Sequence, residues 1–476
     1  MDSRGDTKEV SLNIYIFKMI RKALYILGCG MLLSGCHLYT NYERPKSVEA
    51  PNELYRDAAL TEADTVSFAQ TPWREVFVDT ILQKHIEKVL AQNPDMLKAT
   101  LTMETAEEVL KIAKFAYIPS LAFTPQGQSS SFDWNKCSNT YTIPLTASWN
   151  LGNMGSLRNN LKTGKVTLEQ SKVAKQAIQT ALVSGVANLY FTLGMLDEQL
   201  KTSHETLKIW ERNVVVMQAM KEAGMVNDVA VSQAKSNLLE LRASIPQLQT
   251  SIRTVENSLC TLMGEAPHAI ERAPFNSNGI AYTLKTGLPV QLLSNRADVR
   301  LQELNLANKF YGVNIARSAF YPSLNISATL GFTNNAGSMV INPGKFVFNA
   351  VASVVQPIFA NGRLRANLKM SKNDYEAALI DFSQSLVTAG AEVSNALDAY
   401  RLAEEQLKLR EEEVQILEKT VKNVNALFQH SNTTTYLETL TAQQSLLSAQ
   451  LQLINDNYNK VQAAITLYQA LGGGWQ

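Results

Sequence analysis

The sequence predicts an internally duplicated α+β membrane protein, in which membrane-spanning β-strands accompany long coiled-coil helices. Three observations predict this fold: landmarks that recur in the same order 203 to 208 residues apart, heptad spacing along proline-free stretches, and apolar–polar alternation between those stretches. Heptads indicate helices, and strict alternation indicates strands.

Four short landmarks carry the duplication. The pairs are Ala116–Leu121 with Ala319–Leu324, Gly155–Arg158 with Gly362–Arg365, Val231–Ala234 with Thr439–Ala442, and Leu262–Gly264 with Ala470–Gly472. Because the order is kept and the spacing drifts by only five residues, one unit of roughly 200 residues is duplicated, rather than an array of short repeats. The first repeat is predicted at 71–270 and the second at 271–476.

The N-terminus has the pattern of a lipoprotein precursor. Basic residues precede an apolar run at 23–32, which is followed by Leu-Ser-Gly-Cys at 33–36. This pattern indicates a signal peptide, and Leu-Ser-Gly-Cys resembles the bacterial lipobox, whose Cys is acylated and becomes the first mature residue. We predict a lipoprotein signal peptide at 1–35, an acylated Cys36 and an extended segment at 36–70. An ordinary signal peptide with an incidental Cys is the alternative, and Met19 is an alternative start because acidic residues precede it.

The composition excludes several classes of protein. The 44 basic and 43 acidic residues leave no basic excess that would favour nucleic acid as a partner. Cys137 and Cys260, which remain after the N-terminal segment, are too few for a disulfide framework. The five histidines are scattered without His-x-x-x-His spacing. The sequence therefore predicts no enzyme, no metal site and no cofactor apart from the lipid on Cys36.

Long helices are predicted where proline is absent and heptads persist. No proline lies between Pro144 and Pro246 or after Pro357, and proline breaks helix interiors. The predicted helices span about 80–117, 158–223 and 228–262 in the first repeat, and about 295–318, 363–430 and 435–470 in the second. A helix over 158–223 would be roughly 100 Å long, which exceeds a compact globular domain.

Alternation with period two predicts two strands in each repeat. The strands span about 119–130 and 140–151 in the first repeat, and about 322–333 and 346–357 in the second. On periodicity alone, a sheet with one face on a soluble core is the simpler interpretation. The long helices require partners for their seams, however, and four strands cannot close a barrel in lipid, where open edges are forbidden. Several copies are therefore expected to share one barrel and one helical tube.

Specific motifs add a family resemblance. They are Trp-Arg-Glu-Val-Phe at 73–77, Asn-Pro-Asp at 93–95, Asn-Arg-Ala-Asp-Val-Arg at 295–300, Gln-Pro-Ile-Phe-Ala-Asn-Gly at 356–362 and Leu-Gly-Gly-Gly-Trp at 471–475. Together with the lipobox they resemble the lipid-anchored branch of the TolC family of outer-membrane channels. Ala297 stands where that family usually has Pro.

The resemblance implies a homotrimer anchored in outer-membrane lipid. Twelve strands would form a pore in the outer membrane, and twelve helices a tunnel through the periplasm. Such a duct passively exports small molecules, such as drugs, metals or other toxic compounds. An inner-membrane resistance-nodulation-division pump delivers them through a periplasmic adaptor, also called a membrane fusion protein.

The resemblance also implies particular turns. Gly155 and Gly362 mark the strand-to-helix turns. The periplasmic tip, where such a tunnel closes, corresponds to Gly224, Asp228, Asn432, Tyr436, Glu438 and Thr441. Three copies of Glu438 would favour cation passage. Alternatively, Glu438 is only a solvated acid in a first helical turn, where it suits the helix macrodipole.

Two other functions stay open. A duct for protein secretion would keep the same fold with a different client. A periplasmic coiled-coil scaffold lipoprotein would explain the heptads and Cys36, but not the alternating strands in both halves.

Overall fold

A computed structural model describes residues 40–45, 71–131, 137–153, 155–276, 280, 296–333, 345–430 and 436–475. The predictions for the signal peptide, for Cys36 and for Asn432 lie outside these residues. None of the helices in the described ranges is long and apolar enough to cross a membrane.

The described residues form eight helices. They are α1 (Trp73–Val76), α2 (Thr80–Gln92), α3 (Pro94–Phe115), α4 (Ser156–Glu222), α5 (Asp228–Met263), α6 (Ala297–Ser318), α7 (Arg363–His430) and α8 (Tyr436–Ala470). Helices α4 and α7 have 67 and 68 residues, so each is roughly 100 Å long. Their bounds lie within two residues of the predicted helices at 158–223 and 363–430.

The helix predicted at about 80–117 is wrong as a single element, because Asn93 separates α2 from α3. Pro94 has no backbone N–H and a fixed φ, so it begins a helix readily but does not continue one. The side chain of Asn93 caps α3 by accepting hydrogen bonds from the backbone N–H groups of Asp95, at 2.8 Å, and Met96, at 3.3 Å. Its amide nitrogen also donates to the carbonyl of Leu262 at 2.9 Å. The break is therefore built into the packing.

One antiparallel sheet contains all the described strands. They are β1 (Ser120–Phe123), β2 (Gln126–Ser130), β3 (Ser138–Asn153), β4 (Ser323–Thr333) and β5 (Lys345–Val355). The order is β1–β3–β4–β5, and β2 also pairs with β3. Strand β5 ends two residues before the predicted end at 357, since Pro357 cannot donate a ladder hydrogen bond.

The strand predicted at about 119–130 is divided into β1 and β2. Pro125 lies in the gap and removes one backbone donor. The register nevertheless continues across the gap, because Phe123 lies opposite Leu145 and Gln126 lies opposite Thr142. The two short strands thus occupy the place of one interrupted strand along β3.

The pairing of β3 with β4 joins the two halves of the sequence and separates a polar from an apolar face. The polar face pairs Thr142 with Thr333, Thr146 with Thr329, Ser148 with Ser327, and Asn150 with Asn325. The apolar face pairs Ile143 with Phe332, Leu145 with Leu330, Ala147 with Ala328, and Trp149 with Ile326. Two of the polar pairs are hydroxyl–hydroxyl hydrogen bonds, at 3.2 and 3.3 Å. Such cross-strand pairs hold the register.

The chain divides into two compact units. The first unit contains the sheet and comprises the described residues within 1–47, 104–170 and 303–381. The second comprises those within 48–103, 171–302 and 382–476. Each unit contains parts of both sequence halves, so this division differs from that of the repeats. The order of elements is nevertheless similar in the two halves: α3, β1, β2, β3, α4 and α5 in one, and α6, β4, β5, α7 and α8 in the other.

The second unit has a core around the end of α8. The Tyr468 ring meets Phe77 edge-on at 6.1 Å, and its hydroxyl donates to the carbonyl of Thr71 at 2.7 Å. Arg296 is buried; it donates to the carbonyl of Ala470 at 2.9 Å and pairs with Asp298 at 2.7 Å. These contacts attach residues distant in sequence to the C-terminal turn of α8.

A substitution at Gly331 tests the register of the sheet. Gly331 lies opposite Pro144, and a Cβ built on Gly331 would overlap the Ile143 carbonyl oxygen and lie 2.8 Å from the Pro144 Cα. Because these obstacles are backbone atoms, Gly331→Ala should lower the stability by about 1–3 kcal/mol. The measurement is thermal unfolding in detergent, followed by circular dichroism. Gly127→Ala in β2 is the control, since nothing lies within 4 Å of its Cβ position; equal midpoints for both variants would contradict the register.

Candidate functional site

The turn between α4 and α5 has a backbone that requires glycine. Gly224 has a φ of +74°, a left-handed value that residues with a Cβ rarely adopt. The N–H of Gly224 donates to the Lys221 carbonyl, and that of Met225 to the Met220 carbonyl, both at 2.9 Å. The side chain of Asn227 then caps α5 by accepting from the N–H of Ala230 at 3.0 Å. The predicted tip residue Gly224 therefore ends α4 by its conformation.

The second predicted turn is only partly described. Helix α7 ends at His430 and α8 begins at Tyr436, and Asn432 lies between them, outside the described residues. Tyr436 is buried, and its ring lies 6.0 Å from that of Phe428 near the end of α7. Burial raises the pKa of the Tyr436 hydroxyl.

A single apolar cluster holds the two helix pairs together. The buried members of this tip cluster are Met217, Val231, Ala234, Tyr436 and Leu440. They come from α4, α5 and α8, and Phe428 of α7 packs against them. The ends of all four long helices therefore pack as one body within a single chain, and Tyr436 is a packing residue of that body.

Glu438 and Thr441 lie on the opposite side of α8. Both are exposed, whereas Tyr436 and Leu440 are buried, as expected from the 100° rotation per helical residue. The Thr441 hydroxyl donates to the carbonyl of Leu437 at 2.8 Å. Glu438 is in the first turn of α8, where a carboxylate interacts favourably with the helix dipole. An exposed ring of acids and a solvated helix-start acid are both compatible with this position.

Asp228 forms an ion pair that sequence reasoning missed. Its carboxylate accepts a hydrogen bond from the Lys221 ammonium group across the turn. This hydrogen bond and the charge of Lys221 lower the pKa of the Asp228 carboxyl below its ordinary value. The only available signal was the spacing of opposite charges on either side of Gly224. Lys221 partly neutralises Asp228, so the first turn contributes less negative field than the sequence alone suggests.

Polar contacts connect the long helices away from the tip cluster. Asn213 of α4 donates to Gln443 of α8 at 2.8 Å, and Gln443 approaches Asn425 of α7 at 3.5 Å. Arg410 of α7 pairs with Asp456 of α8 at 2.9 Å. Arg410 interrupts an apolar heptad position in the sequence, which was the available signal for this pair. Polar residues in a helix seam favour one register over others.

The predicted strand-to-helix turns contain left-handed glycines. Gly155 has a φ of +85° and Gly362 a φ of +75°; Asn361, with a φ of +48°, precedes the latter. The side-chain amide of Asn159 donates to the Gly155 carbonyl at 2.9 Å. These turns direct the chain from strands β3 and β5 into helices α4 and α7.

The described residues include no group of three or more His, Cys, Asp or Glu side chains that could hold a metal ion. Cys260 is buried, and its thiol lies 3.4 Å from Nδ1 of His268. That imidazole nitrogen also lies 3.0 Å from the Ala266 carbonyl. The pair therefore forms a local packing contact.

Comparisons with known proteins agree with this architecture. A family model described as "Outer membrane efflux protein" matches residues 85–265 and 288–473. The cation efflux system protein CusC of Escherichia coli O6:H1 is 27% identical over 451 residues, which are 94% of this chain and 97% of that protein. The toluene efflux pump outer membrane protein TtgC of Pseudomonas putida is 27% identical over 467 residues, 96% of each chain. A crystal structure of CusC superposes with a TM-score of 0.82 at 26% identity, covering 91% of this chain and 99% of that one.

Asp228→Asn tests the role of the ion pair at the first turn. Loss of the carboxylate removes the restraint across the turn, so backbone amides near Gly224 should exchange with solvent faster, whereas the tip cluster keeps its protection. The measurement is hydrogen exchange followed by mass spectrometry. Lys221 lowers the pKa of the Asp228 carboxyl. The ion pair is therefore fully formed at any pH above the ordinary pKa of aspartate, and it is lost only as the pH falls through the lowered pKa. The difference between the two proteins should therefore be the same at about pH 5 and about pH 7.

The matched control is Glu222→Gln, because the Glu222 carboxylate accepts a hydrogen bond within α4, from Gln218 at 3.3 Å. Equal exchange at the turn in Asp228→Asn and wild type would show that Lys221 and Asp228 do not restrain it.

Proposed function

This chain belongs to the outer membrane efflux protein family, and from this membership we propose that it is the passive exit duct of a tripartite efflux system. Its place is the outer membrane, as for the family. Three copies form the duct, a periplasmic adaptor joins them to an inner-membrane resistance-nodulation-division pump, and small molecules leave through the shared lumen. The observation that carries this proposal is a sheet whose described strands leave two open edges, in a chain with helices about 100 Å long.

The edges of the sheet support assembly from several copies. Within the described residues, β5 pairs only with β4, and β1 and β2 pair only with β3. An unpaired edge in lipid leaves backbone N–H and C=O groups without partners, at a cost of several kcal/mol for each group. Because β1 and β2 share one register, each chain supplies four strand lengths, and three chains supply the twelve that the family resemblance implies. Pairing of β5 with β1 and β2 of the next copy would close the barrel.

The two faces of the sheet support a pore. The apolar face carries large exposed side chains, such as Phe346 and Phe348, which suit contact with lipid. The opposite face carries the threonine, serine and asparagine pairs of β3 and β4, which suit a water-filled lumen. A periplasmic coiled-coil scaffold does not account for a sheet with one apolar and one polar face, so this alternative is less favoured.

The helices support a tunnel made from several copies. Leu402, Leu409 and Ile416 of α7 are each more than half exposed and lie seven residues apart. Such spacing is typical of a coiled-coil seam whose partner helix belongs to another chain. The helices of adjoining copies would cover these side chains.

The N-terminal segment supports the proposed lipid anchor. Arg44 pairs with Glu303 at 2.8 Å, the Tyr42 N–H donates to the Tyr311 hydroxyl at 3.2 Å, and Lys162 donates to Asn41 at 2.6 Å. All six residues belong to the compact unit that contains the sheet. Cys36 precedes Thr40 by four residues, so a lipid on Cys36 would be attached within about 14 Å of this site.

We propose that the exported client is a small molecule, and we leave its chemical class open. The names of the two relatives refer to cations for CusC and to toluene for TtgC. In a tripartite system with a passive duct, the pump determines which molecules are exported, because the lumen of the duct does not need to bind them. Export of proteins by the same fold is the competing proposal.

Purification of the native complex tests the function. The protein would be crosslinked in whole cells, extracted in detergent and examined by native mass spectrometry and peptide sequencing. A homotrimer with an adaptor and a resistance-nodulation-division pump is expected. A stable folded monomer would contradict the shared barrel, and a protein-secretion ATPase in place of the pump would favour the competing proposal.

The intact mass of the membrane-extracted protein tests the lipid anchor. We expect loss of residues 1–35 and addition of lipid to Cys36, because Leu-Ser-Gly-Cys follows the apolar run. Cys36→Ser should carry no lipid and sort less efficiently to the outer membrane. The exposed Cys137 supplies the control, since Cys137→Ser should leave the lipid mass unchanged. An unmodified wild-type chain that begins elsewhere would refute the anchor.

Glu438→Gln tests the proposed acidic ring. If three exposed carboxylates surround the constriction, their field favours cations, and their removal should reduce the cation-to-anion permeability ratio several-fold. The measurement is the reversal potential of the purified trimer in a planar bilayer under a salt gradient. Glu107→Gln on α3, an exposed acid in the other compact unit, is the control. Unchanged selectivity in Glu438→Gln would leave Glu438 as a solvated helix-start acid.

A further inference from the structure

Two large apolar side chains are exposed in the turn that follows β5. Ile358 is 97% exposed and Phe359 is 83% exposed. The turn around them is well defined: the Gln356 side chain donates to the Phe320 carbonyl at 2.9 Å, and Asn361 and Gly362 both have left-handed backbones. Adjacent apolar side chains that a defined turn leaves exposed indicate an interaction surface.

A second exposed apolar surface lies at the other open edge of the sheet. Ile118, just before β1, is 59% exposed, and Leu121 within β1 is 72% exposed. Each neighbouring pair in the order β1–β3–β4–β5 is antiparallel, so β5 runs antiparallel to β1. The end of β5 and the beginning of β1 therefore lie at the same end of the sheet. If β5 pairs with β1 of another copy, the two exposed surfaces meet.

The pairing of β3 with β4 inside the chain supplies a template for this contact. In that pair, Gly152 lies opposite Leu324. The offset of 207 residues that relates Gly155 to Gly362 assigns Phe359 to the position of Gly152. The offset of 203 that relates Ala116–Leu121 to Ala319–Leu324 assigns Leu121 to the position of Leu324. The intermolecular equivalent of the Gly152–Leu324 pair is thus Phe359 with Leu121.

Burial at the equivalent positions supports the template. Leu151, Tyr321 and Leu324 belong to the internal β3–β4 junction, and all three are half-buried. Their equivalents are Ile358, Ile118 and Leu121, each more than half exposed. The same positions in the repeat are therefore half-buried where the described sheet supplies a strand neighbour and exposed where it supplies none.

We propose that Ile358 and Phe359 of one copy pack against Ile118 and Leu121 of the next copy, with Phe359 on Leu121. The partner is a second copy of this chain, and the inference rests on the shared barrel of the proposed function. The contact fixes the register at which β5 joins β1 of its neighbour, since a shift by one residue would turn these side chains to the other face. Phe359, in the position of Gly152, adds a large apolar side chain to the junction between copies.

Disulfide crosslinking tests the contact. Phe359→Cys and Leu121→Cys are combined in one chain with Cys137→Ser, and the membranes are oxidised and analysed on non-reducing gels. Gly152 and Leu324 are opposite each other on paired strands, and such residues lie within the Cα separation that a disulfide accepts, so the equivalent positions 359 and 121 of two copies should be close enough to link. We expect linked dimers and trimers that revert to monomer on reduction.

The matched control pairs Leu121→Cys with Phe348→Cys. Phe348 is similarly exposed, at 66%, but lies seven residues before the end of β5 at Val355, roughly 23 Å back along the strand from the turn that holds Phe359. This pair should remain monomeric. Equal crosslinking of both pairs would reflect random collision and would overturn the contact.

Native mass spectrometry of the same samples separates the contact from the proposed function. A trimer in which Phe359→Cys and Leu121→Cys do not crosslink would overturn the contact and leave the duct intact. A folded monomer would overturn both.

A photoreactive benzophenone side chain at position 359 keeps an aromatic group and provides a second test if the cysteine variants fail to fold. After irradiation in native membranes, we expect an adduct of two chains, linked to a peptide that contains Ile118 and Leu121. Adducts with phospholipid instead would place Phe359 against the bilayer and overturn the contact.

Discussion

Every backbone N–H and C=O group in the sheet needs a hydrogen-bond partner, and the rest of the structure depends on this constraint. Within the chain, the long pairing of β3 with β4 meets this need and joins the two sequence halves through matched polar and apolar pairs. Among the described strands, β5 and β1 each have a neighbour on one side only. In lipid such edges are not tolerated, which is why we propose that other copies of the chain complete the sheet. The sheet also determines where helices α4 and α7 start, because both begin at glycine turns shortly after β3 and β5.

Apolar and polar contacts have different roles in the helical part. The tip cluster gathers the ends of four helices around Met217 and Tyr436, so each chain presents one preformed body. Away from the cluster, Asn213–Gln443 and Arg410–Asp456 specify which helix faces meet. Polar pairs in a seam contribute less stability than apolar packing but discriminate between registers.

Much of the fold could be predicted because its signals are local. Heptads and alternation are periods within one segment, and they predicted the extents of α4, α7 and β4 to within two residues. The capped break at Asn93 was missed as a boundary, although Pro94 marked it. Pro125 does indicate an interruption of the strand predicted at 119–130, but not its division into β1 and β2. Contacts between distant segments had no such signal: nothing in the sequence near Gly331 reveals that Pro144 lies opposite, or that Arg296 reaches the end of α8. In the candidate site, Glu438 and Asp228 were predicted from the sequence as tip residues. The ion pair of Asp228 with Lys221 could not be predicted, because that pair depends on the geometry of the turn.

The repeat in the sequence has a physical consequence for assembly. Under the proposed assembly, the same kind of strand junction is made twice, once within the chain at β3–β4 and once between copies at β5 and β1. The internal junction is made on folding, whereas the junction between copies must be recognised by separate chains in a membrane. Recognition requires a register, and backbone ladders alone specify it poorly because every residue offers the same groups. Large side chains at one end of the strand specify it better, and Phe359 supplies such a side chain where the internal junction has Gly152. The difference between the two junctions is therefore the one expected when the same strand pairing is made between chains instead of within one.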